Sequence, residues 1–364
     1  MLTKYDEFLC HQIVSTFDHV ETSAREWTER IWLNIHDTSG KFHLLAGFGK
    51  YPNRNVMDAF GTIAVEGKTQ YAVRASQELH PQTDEVKVGP FSYEVIEPLK
   101  KVRCALGENE HGLSYDLEFE ATMPAVEEPP QYARVKGREA ENIRRFVQVG
   151  KPSGWINTEG KTHQVDKQSW LAMRDRSWGV RRGGGATETG VEPPEVPIGF
   201  LYNWILVQFP QWGATYHLRE TWDGTPITFG GEVFYPYKSR KEPLKLASIE
   251  HDFQLRPDIR QITSGRVVLN AVDGSKIELS LRPISICYVK PGGYGEYRGF
   301  VHGLWMGPSF IDGFKLDITD PKVVSEVAFI GDLNCEFRCG DEVGYGVTEL
   351  LILGRYPKYG YEGY

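Results

Sequence analysis

The stretch Leu113-Ser114-Tyr115-Asp116-Leu117-Glu118-Phe119-Glu120-Ala121 decides the fold class. Its apolar residues alternate with polar or acidic ones, which is the two-residue period of a β-strand with one buried face. The same alternation recurs at residues 31–35 and 277–281. Turn-forming pairs separate such segments, at Glu66-Gly67, Glu159-Gly160, Asp223-Gly224 and Asp273-Gly274. Many short strands with this spacing predict an all-β barrel or sandwich.

The composition is that of an ordinary globular chain, with 364 residues, 40% hydrophobic and 25% charged. The net charge of -8 argues against non-specific binding of nucleic acid. No apolar run approaches the roughly 20 residues of a transmembrane helix, so we expect no membrane span. Five scattered cysteines and the lack of a signal peptide favour reduced thiols and a cytoplasmic location.

The N-terminus is the segment with helical spacing, and it predicts a short helix or arm over residues 3–14. Thr3 and Asp6 are placed to form a capping box at its start. Glycine and proline are concentrated at residues 183–198, which predicts a flexible connection or a lid. We therefore expect an N-terminal domain at residues 1–182 and a C-terminal domain at residues 198–364.

Motifs for nucleotide and metal binding are missing from the sequence. Residues 61–69 approach a phosphate-binding loop but have one residue too many before Gly-Lys-Thr. Cys335 and Cys339 have no second ligand pair at zinc spacing and are expected to be small buried hydrophobic residues. No motif implies a cofactor or a metal.

The segment Arg174-Asp175-Arg176-Ser177-Trp178-Gly179-Val180-Arg181 carries the densest chemistry of the chain. In a strand, Asp175 faces one side and its neighbours Arg174 and Arg176 face the other. An acid that faces an apolar cavity has a raised pKa and can act as a proton donor. The alternative is a structural salt bridge, because an arginine close to Asp175 would lower the pKa of its carboxyl group.

Residues 146–156 and 174–179 resemble the carotenoid 1,2-hydratase (hydroxyneurosporene synthase) superfamily. Asp175, Ser177, Trp178 and Gly179 match the family's Asp-His-Ser-Trp-Gly core, and Arg176 stands in place of the histidine. Residues 93–103 and 344–349 resemble other family strands. The resemblance implies an all-β fold of two lipocalin-like β-barrel domains side by side, with a pocket in or between them. It also implies acid–base chemistry on isoprenoid or polyene substrates without metal or nucleotide.

The chemistry of alkene hydration and alcohol dehydration suggests which residues form the site, since it needs an acid, a base and aromatic rings that stabilise a cation. The catalytic candidates are Asp175, His302 and Arg176. The candidates for substrate binding are Trp178, Tyr202, Trp204, Trp305, Tyr93 and Cys104. Phe300 is a further aromatic candidate and His217 a further proton carrier, although His217 is expected to face solvent. His302 and Trp204 have alternative interpretations as core residues.

The leading hypothesis is a cofactor-free isomerase or hydro-lyase that acts on a terpenoid alcohol or alkene through a carbocation-like intermediate. Allylic alcohol isomerisation, of the linalool to nerol or geraniol type, and hydration or dehydration both remain open. One alternative is a non-enzymatic lipocalin-like carrier, which would be stabilised by an apolar ligand without forming a product. Another is an assembly protein whose aromatic surface packs against a partner.

Overall fold

A computed structural model describes residues 2–11, 19–80, 85–181, 192 and 196–363 of the chain. The described part is almost entirely β-structure, as the sequence predicted, with a single α-helix, α1, at Pro321–Val327. Short 3-10 helices lie at Lys4–Glu7, Pro52–Arg54, Lys290–Gly292 and Pro357–Tyr359. Within these ranges no helix combines the length and the apolar character needed to cross a membrane.

The N-terminal half contributes thirteen strands. They are β1 (Trp27–Asp37), β2 (Phe42–Tyr51), β3 (Val56–Val65), β4 (Thr69–Glu78), β5 (Lys87–Val88), β6 (Phe91–Glu97), β7 (Lys101–Leu106), β8 (Leu113–Ala121), β9 (Val126–Glu127), β10 (Gln131–Val135), β11 (Arg138–Thr158), β12 (Lys161–Val165) and β13 (Trp170–Val180). The C-terminal half adds β14 (Gly199–Gln208), β15 (Gly213–Thr221), β16 (Pro226–Phe234), β17 (Leu244–Arg256), β18 (Gln261–Ala271), β19 (Lys276–Tyr288), β20 (Ser309–Asp317), β21 (Gly331–Cys339) and β22 (Glu342–Gly354).

These strands form two curled sheets of the lipocalin-like kind. The first sheet has fourteen strands in the order β20-β4-β3-β2-β1-β13-β11-β8-β7-β6-β5, and β9, β10 and β12 pair with β11. It curls until β5 lies against β3 and β4. The second sheet closes into a barrel with the strand order β14-β15-β16-β17-β18-β19-β21-β22, and we call it the second barrel. The predicted all-β architecture of two lipocalin-like units is therefore confirmed.

The local patterns of the sequence correspond closely to single strands and turns. In β8 the side chains of Leu113, Tyr115, Leu117 and Phe119 are buried, while the polar residues between them are partly exposed. The predicted turn at Glu66 and Gly67 joins β3 to β4 with both residues at positive φ, 55° and 62°. The other three predicted turns join β11 to β12, β15 to β16 and β18 to β19.

Two features differ from the sequence expectation. Strand β20 lies within residues 198–364 but pairs with β4 of the first sheet. The first sheet is not closed, so the edge of β4 needs a partner for its backbone groups, and β20 provides one. The N-terminal helix is a single 3-10 turn that carries the predicted capping box of Thr3 and Asp6. Residues 8–11 are not helical, and residues 12–14 lie outside the described residues.

Three apolar clusters explain how the sheets are placed. One fills the inside of the first sheet and one fills the second barrel. The third lies between the two sheets, where Trp32, Val147 and Met173 of the first pack against Trp204 and Val347 of the second barrel. Strands at this contact are buried on both faces, so their outward residues are withdrawn from solvent. The contact therefore positions a site between the sheets.

Candidate active site

A cavity of about 290 Å³ lies between the first sheet and the second barrel. This is at the small end of the roughly 300–1,000 Å³ typical of small-molecule sites. Its aromatic lining consists of Trp32, Phe200, Tyr202, Trp204, Tyr294 and Phe329. Its charged lining consists of Arg30, Arg145, Arg181, Arg219, Glu141, Asp175, Asp332 and Glu349. The cavity thus combines aromatic walls with paired and unpaired ionisable groups.

Strand alternation places Asp175 on the cavity wall. The sequence predicted that it would face the side of the strand opposite to Arg174 and Arg176. Asp175 of β13 points outward from the first sheet, with its side chain 16% exposed, while Arg174 and Arg176 are fully buried on the inner face. A different arginine approaches it, because Arg145 of the adjacent β11 brings its Nε to 3.7 Å from Oδ2 of Asp175. Burial raises the pKa of Asp175, and Arg145 opposes the rise.

Arg176 does not line the cavity, since its strand position directs it into the first sheet. It contacts Glu29 at 3.0 Å and donates to the backbone carbonyl oxygens of Glu7, Phe8 and Arg30. The neighbouring Arg174 forms a buried ion pair with Glu7, at 2.5 and 2.6 Å. The two arginines therefore hold the N-terminal segment against the first sheet.

Asp332 and Glu349 form a carboxyl pair that the sequence analysis did not single out. They lie on the neighbouring strands β21 and β22, with their side chains directed outward from the second barrel. Burial raises the pKa of both groups, that of Asp332 well above its usual range, and repulsion between the two carboxylates adds to the rise at Asp332. Two carboxyl groups that cannot both ionise retain a proton between them. The pair therefore favours a protonated form on the wall of the cavity.

Each member of the pair is held by an aromatic side chain. The indole Nε1 of Trp32 donates to Oδ2 of Asp332 at 3.1 Å. The hydroxyl of Tyr202 donates to Oε2 of Glu349 at 2.9 Å. The available sequence signal was an acid beside an apolar run, because Glu349 precedes residues 350–353 and is the last residue of the segment 344–349 that resembles the family's final strand.

A second polar group supports the aromatic wall. The indole Nε1 of Trp204 donates to Oε1 of Glu128 at 2.7 Å. Arg145 NH1 lies 3.3 Å from Oε2 of the same glutamate. Arg145 thus lies between Glu128 and Asp175, and these two contacts hold its guanidinium in place at the cavity wall. Burial raises the pKa of Glu128, and Arg145 counteracts this.

His302 lines the cavity, but both of its ring nitrogens are engaged. Nδ1 lies 3.4 Å from Oδ2 of Asp58 and Nε2 lies 2.9 Å from NH2 of Arg30. Because a carboxylate only accepts and a guanidinium only donates, Nδ1 carries the proton and Nε2 accepts. Burial lowers the pKa of His302 to about 4, and Arg30 adds to the shift. At neutral pH the ring is therefore an uncharged acceptor that orients Arg30.

His217 was expected to face solvent, and the structure contradicts this. Its side chain is buried on the cavity wall, with Nε2 3.2 Å from Nε2 of Gln131 and its ring 5.3 Å from that of Tyr202. The segment that contains Pro129 and Gln131 covers this face of β15 and β16, which the local sequence of β15 does not reveal. Burial lowers the pKa of His217 well below its usual value.

Of the predicted substrate-binding residues, Tyr202 and Trp204 line the cavity and four do not. Trp178 is stacked on His11 at 3.6 Å, because it shares the inner face with Arg176. Tyr93 and Cys104 lie inside the first sheet, where β6 and β7 turn these positions toward its core. Trp305 is 49% exposed. The additional aromatic candidate Phe300 is buried against Phe310, away from the cavity.

The fold and the site define a lipocalin-like all-β protein with a polar and aromatic cavity between its two sheets. The chain belongs to a family of unknown function, DUF8625, whose model matches residues 2–362. A search of the curated proteins found no match.

Several solved structures are similar to this chain. A Nitrosomonas europaea protein provisionally assigned as AttH matches 89% of this chain and 92% of its own, with 12% identity and a TM-score of 0.56. CghA with Sch210972 matches 90% and 88%, with 11% identity and a TM-score of 0.50. Kievitone hydratase from Nectria haematococca matches 89% and 88%, with 13% identity and a TM-score of 0.43. At these identities the likeness to the first two structures supports the fold alone.

Proposed function

We propose that this protein is an acid–base lyase or isomerase that binds a small oxygenated substrate with an apolar body between its two sheets. The observation that carries the proposal is the buried carboxyl pair of Asp332 and Glu349 on the wall of an aromatic cavity, where burial raises the pKa of both groups. Such a donor protonates an alkene or a hydroxyl group without the assistance of a cofactor. A terpenoid alcohol or alkene, the substrate class implied by the sequence resemblance, fits this chemistry.

The reaction begins with transfer of the proton from the carboxyl pair to the substrate hydroxyl group. The carbon–oxygen bond then breaks, its electron pair leaves with water, and a carbocation remains. The rings of Trp32 and Trp204 line the same cavity and provide electron-rich faces for the cation. Trp32 and Trp204 are almost fully buried, and water excluded from this wall cannot quench the cation there.

Asp175 is assigned the role of proton acceptor in this scheme rather than that of the acid. Arg145, 3.7 Å away, favours its ionised form. Loss of a carbon-bound proton to Asp175 gives the alkene, and transfer of that proton through the released water back to the carboxyl pair completes a dehydration. Return of the water to the other end of an allylic cation gives the isomeric alcohol, and the proton that this water releases restores the carboxyl pair. Both routes balance in atoms and charge.

The location of the cavity supports a ligand site. The similar structure of CghA, with a TM-score of 0.50, was determined with Sch210972. The cavity of this chain is enclosed by residues of both sheets, which is typical of a site at an interface between structural units.

The test is incubation of the purified protein with terpenoid alcohols and alkenes, followed by gas chromatography with mass detection. Wild-type protein should give isomeric, hydrated or dehydrated products, and Asp332→Asn should reduce turnover by about a hundredfold or more. Asp116→Asn is the matched control, because Asp116 lies on the surface of β8 and pairs with Arg103. Full turnover by a folded Asp332→Asn variant would show that Asp332 is not the proton donor. Ligand-induced thermal stabilisation without any product would favour the carrier.

A further inference from the structure

Arg30 is a buried cation on the cavity wall whose direct hydrogen-bond partners are neutral. It lies on β1 and is 3% exposed. NH1 donates to the hydroxyl of Tyr51 at 2.5 Å and NH2 donates to Nε2 of His302 at 2.9 Å. A guanidinium has five N–H groups, so most of its donors are not used by these two partners. The buried Nε has no hydrogen-bond partner in the described structure.

The carboxylate of Asp58 contacts both of the neutral groups that hold Arg30. The hydroxyl of Tyr51 is 3.3 Å from Oδ1 of Asp58, and Nδ1 of His302 is 3.4 Å from Oδ2. The backbone N–H of Gly303 also donates to Oδ2 of Asp58, at 2.7 Å. Asp58 therefore orients the two neutral groups that hold the guanidinium, and it does not occupy the donors of Arg30.

A second guanidinium lies close to the first. The charge centre of Arg30 is 5.0 Å from the centroid of the Tyr294 ring, and that of Arg181 is 6.0 Å from the same centroid. Across the ranges that the structure describes, neither arginine forms an ion pair with a carboxylate. By contrast, Arg219 on the same cavity is held by Glu141 at 2.5 and 2.8 Å. When a buried cation has N–H groups without a hydrogen-bond partner, these groups favour the binding of an anionic ligand.

We propose that Arg30, held by Tyr51 and His302, binds a carboxylate group of the substrate, so that the natural substrate carries an acid group in addition to the hydroxyl group or alkene that reacts. This inference rests on the proposed function in that it assigns the same cavity as the substrate site. The planar guanidinium matches a carboxylate, and the burial of Arg30 away from water strengthens the contact. The body of the substrate then lies along the aromatic wall.

The experiment measures binding by the full-length protein with ligand pairs that share a carbon skeleton, using isothermal titration calorimetry. The probes are geranic acid, its methyl ester and geraniol, and then cinnamic acid and cinnamyl alcohol. The acid should bind about tenfold or more tightly than its alcohol or ester in at least one series. Arg30→Met should remove this preference, and Arg30→Lys, which keeps the charge, should retain part of it. Circular dichroism checks that the variants are folded.

Equal or weaker binding of both acids, or no binding of either, would overturn the inference. So would an acid preference that is unchanged in a folded Arg30→Met variant. If that variant does not fold, the relative affinities of wild-type protein for the acid, the ester and the alcohol test the inference. Failure of the two proposals can be distinguished, because acid binding without turnover would count against the enzyme alone. Turnover of an alcohol with no acid preference would count against the carboxylate site alone.

Discussion

The indole nitrogen of Trp32 donates a hydrogen bond to Asp332 across the contact between the two sheets, at 3.1 Å and 300 residues apart in sequence. This bond ties the first sheet to one member of the carboxyl pair. A donor to a carboxylate favours its ionised form, whereas burial and Glu349 favour the protonated form. Trp32 therefore positions the acid and moderates its pKa, so that substrate binding and proton donation depend on the contact between the sheets.

Replacement of Trp32 by phenylalanine should raise the pKa of Asp332 further, because the variant loses the donor to its carboxylate. The basic limb of the pH profile of kcat/KM should move to higher pH. The free energy of unfolding should fall by roughly 1–3 kcal/mol for the lost bond and the altered packing. Urea denaturation and a pH–rate profile measure these effects. Trp305→Phe is the control, since Trp305 is exposed outside the cavity. If the basic limb does not move in Trp32→Phe, the indole of Trp32 does not affect the pKa of Asp332.

The raised pKa of Asp332 also predicts how stability depends on pH. Between the ordinary carboxyl pKa of about 4 and the raised value in the folded protein, the folded state binds more protons than the unfolded state. This contribution to the free energy of unfolding therefore declines as the pH rises through that window. Asp332→Asn lacks this pH-dependent contribution, so the free energy of unfolding of the variant relative to wild type should increase from pH 5 to pH 8. A relative stability that worsens over this range in urea titrations would contradict the raised pKa.

His302 should produce a pH dependence of the opposite sign. Its pKa of about 4 in the folded protein lies below the value of about 6.5 expected in the unfolded chain. The unfolded state therefore binds more protons between these values, and stability is lost as the pH falls through the window. His302→Gln should show a shallower loss than wild type from pH 6.5 to pH 4. Nitrogen-15 NMR should find His302 neutral at pH 6 with its proton on Nδ1; a charged ring there would be incompatible with the proposed support of Arg30.

Glu7 should matter for stability far from the cavity. Its carboxylate and the guanidinium of Arg174 are fully buried and form two hydrogen bonds of 2.5 and 2.6 Å. Glu7→Gln leaves the charge of Arg174 buried without its partner, so the free energy of unfolding should fall by roughly 3–5 kcal/mol. The control is Asp116→Asn in the exposed pair with Arg103, which should change the urea midpoint little. Similar midpoints for the two variants would be inconsistent with a buried ion pair.

Much of the fold was predictable because β-structure has a short local period. The alternation in residues 113–121 and the four Gly-containing turns depend on neighbours in sequence, and all of them are present in the structure. The separation of Asp175 from Arg174 and Arg176 follows from the same period. Strand β20 was not predicted to join the first sheet, since its pairing with β4 links residues more than 200 positions apart.

The sequence by itself determined that this protein is all-β, where several of its strands and four of its turns lie, and that Asp175 faces away from its neighbouring arginines. The tertiary structure alone decided which outward faces meet. It placed Arg145 beside Asp175, Trp32 against Asp332, and both Trp204 and Tyr202 on one cavity. The physical reason is that a strand's period fixes the face of each side chain locally, whereas packing between two sheets determines which face becomes a buried site. Burial and distant charges then set the pKa values on which the proposed chemistry depends.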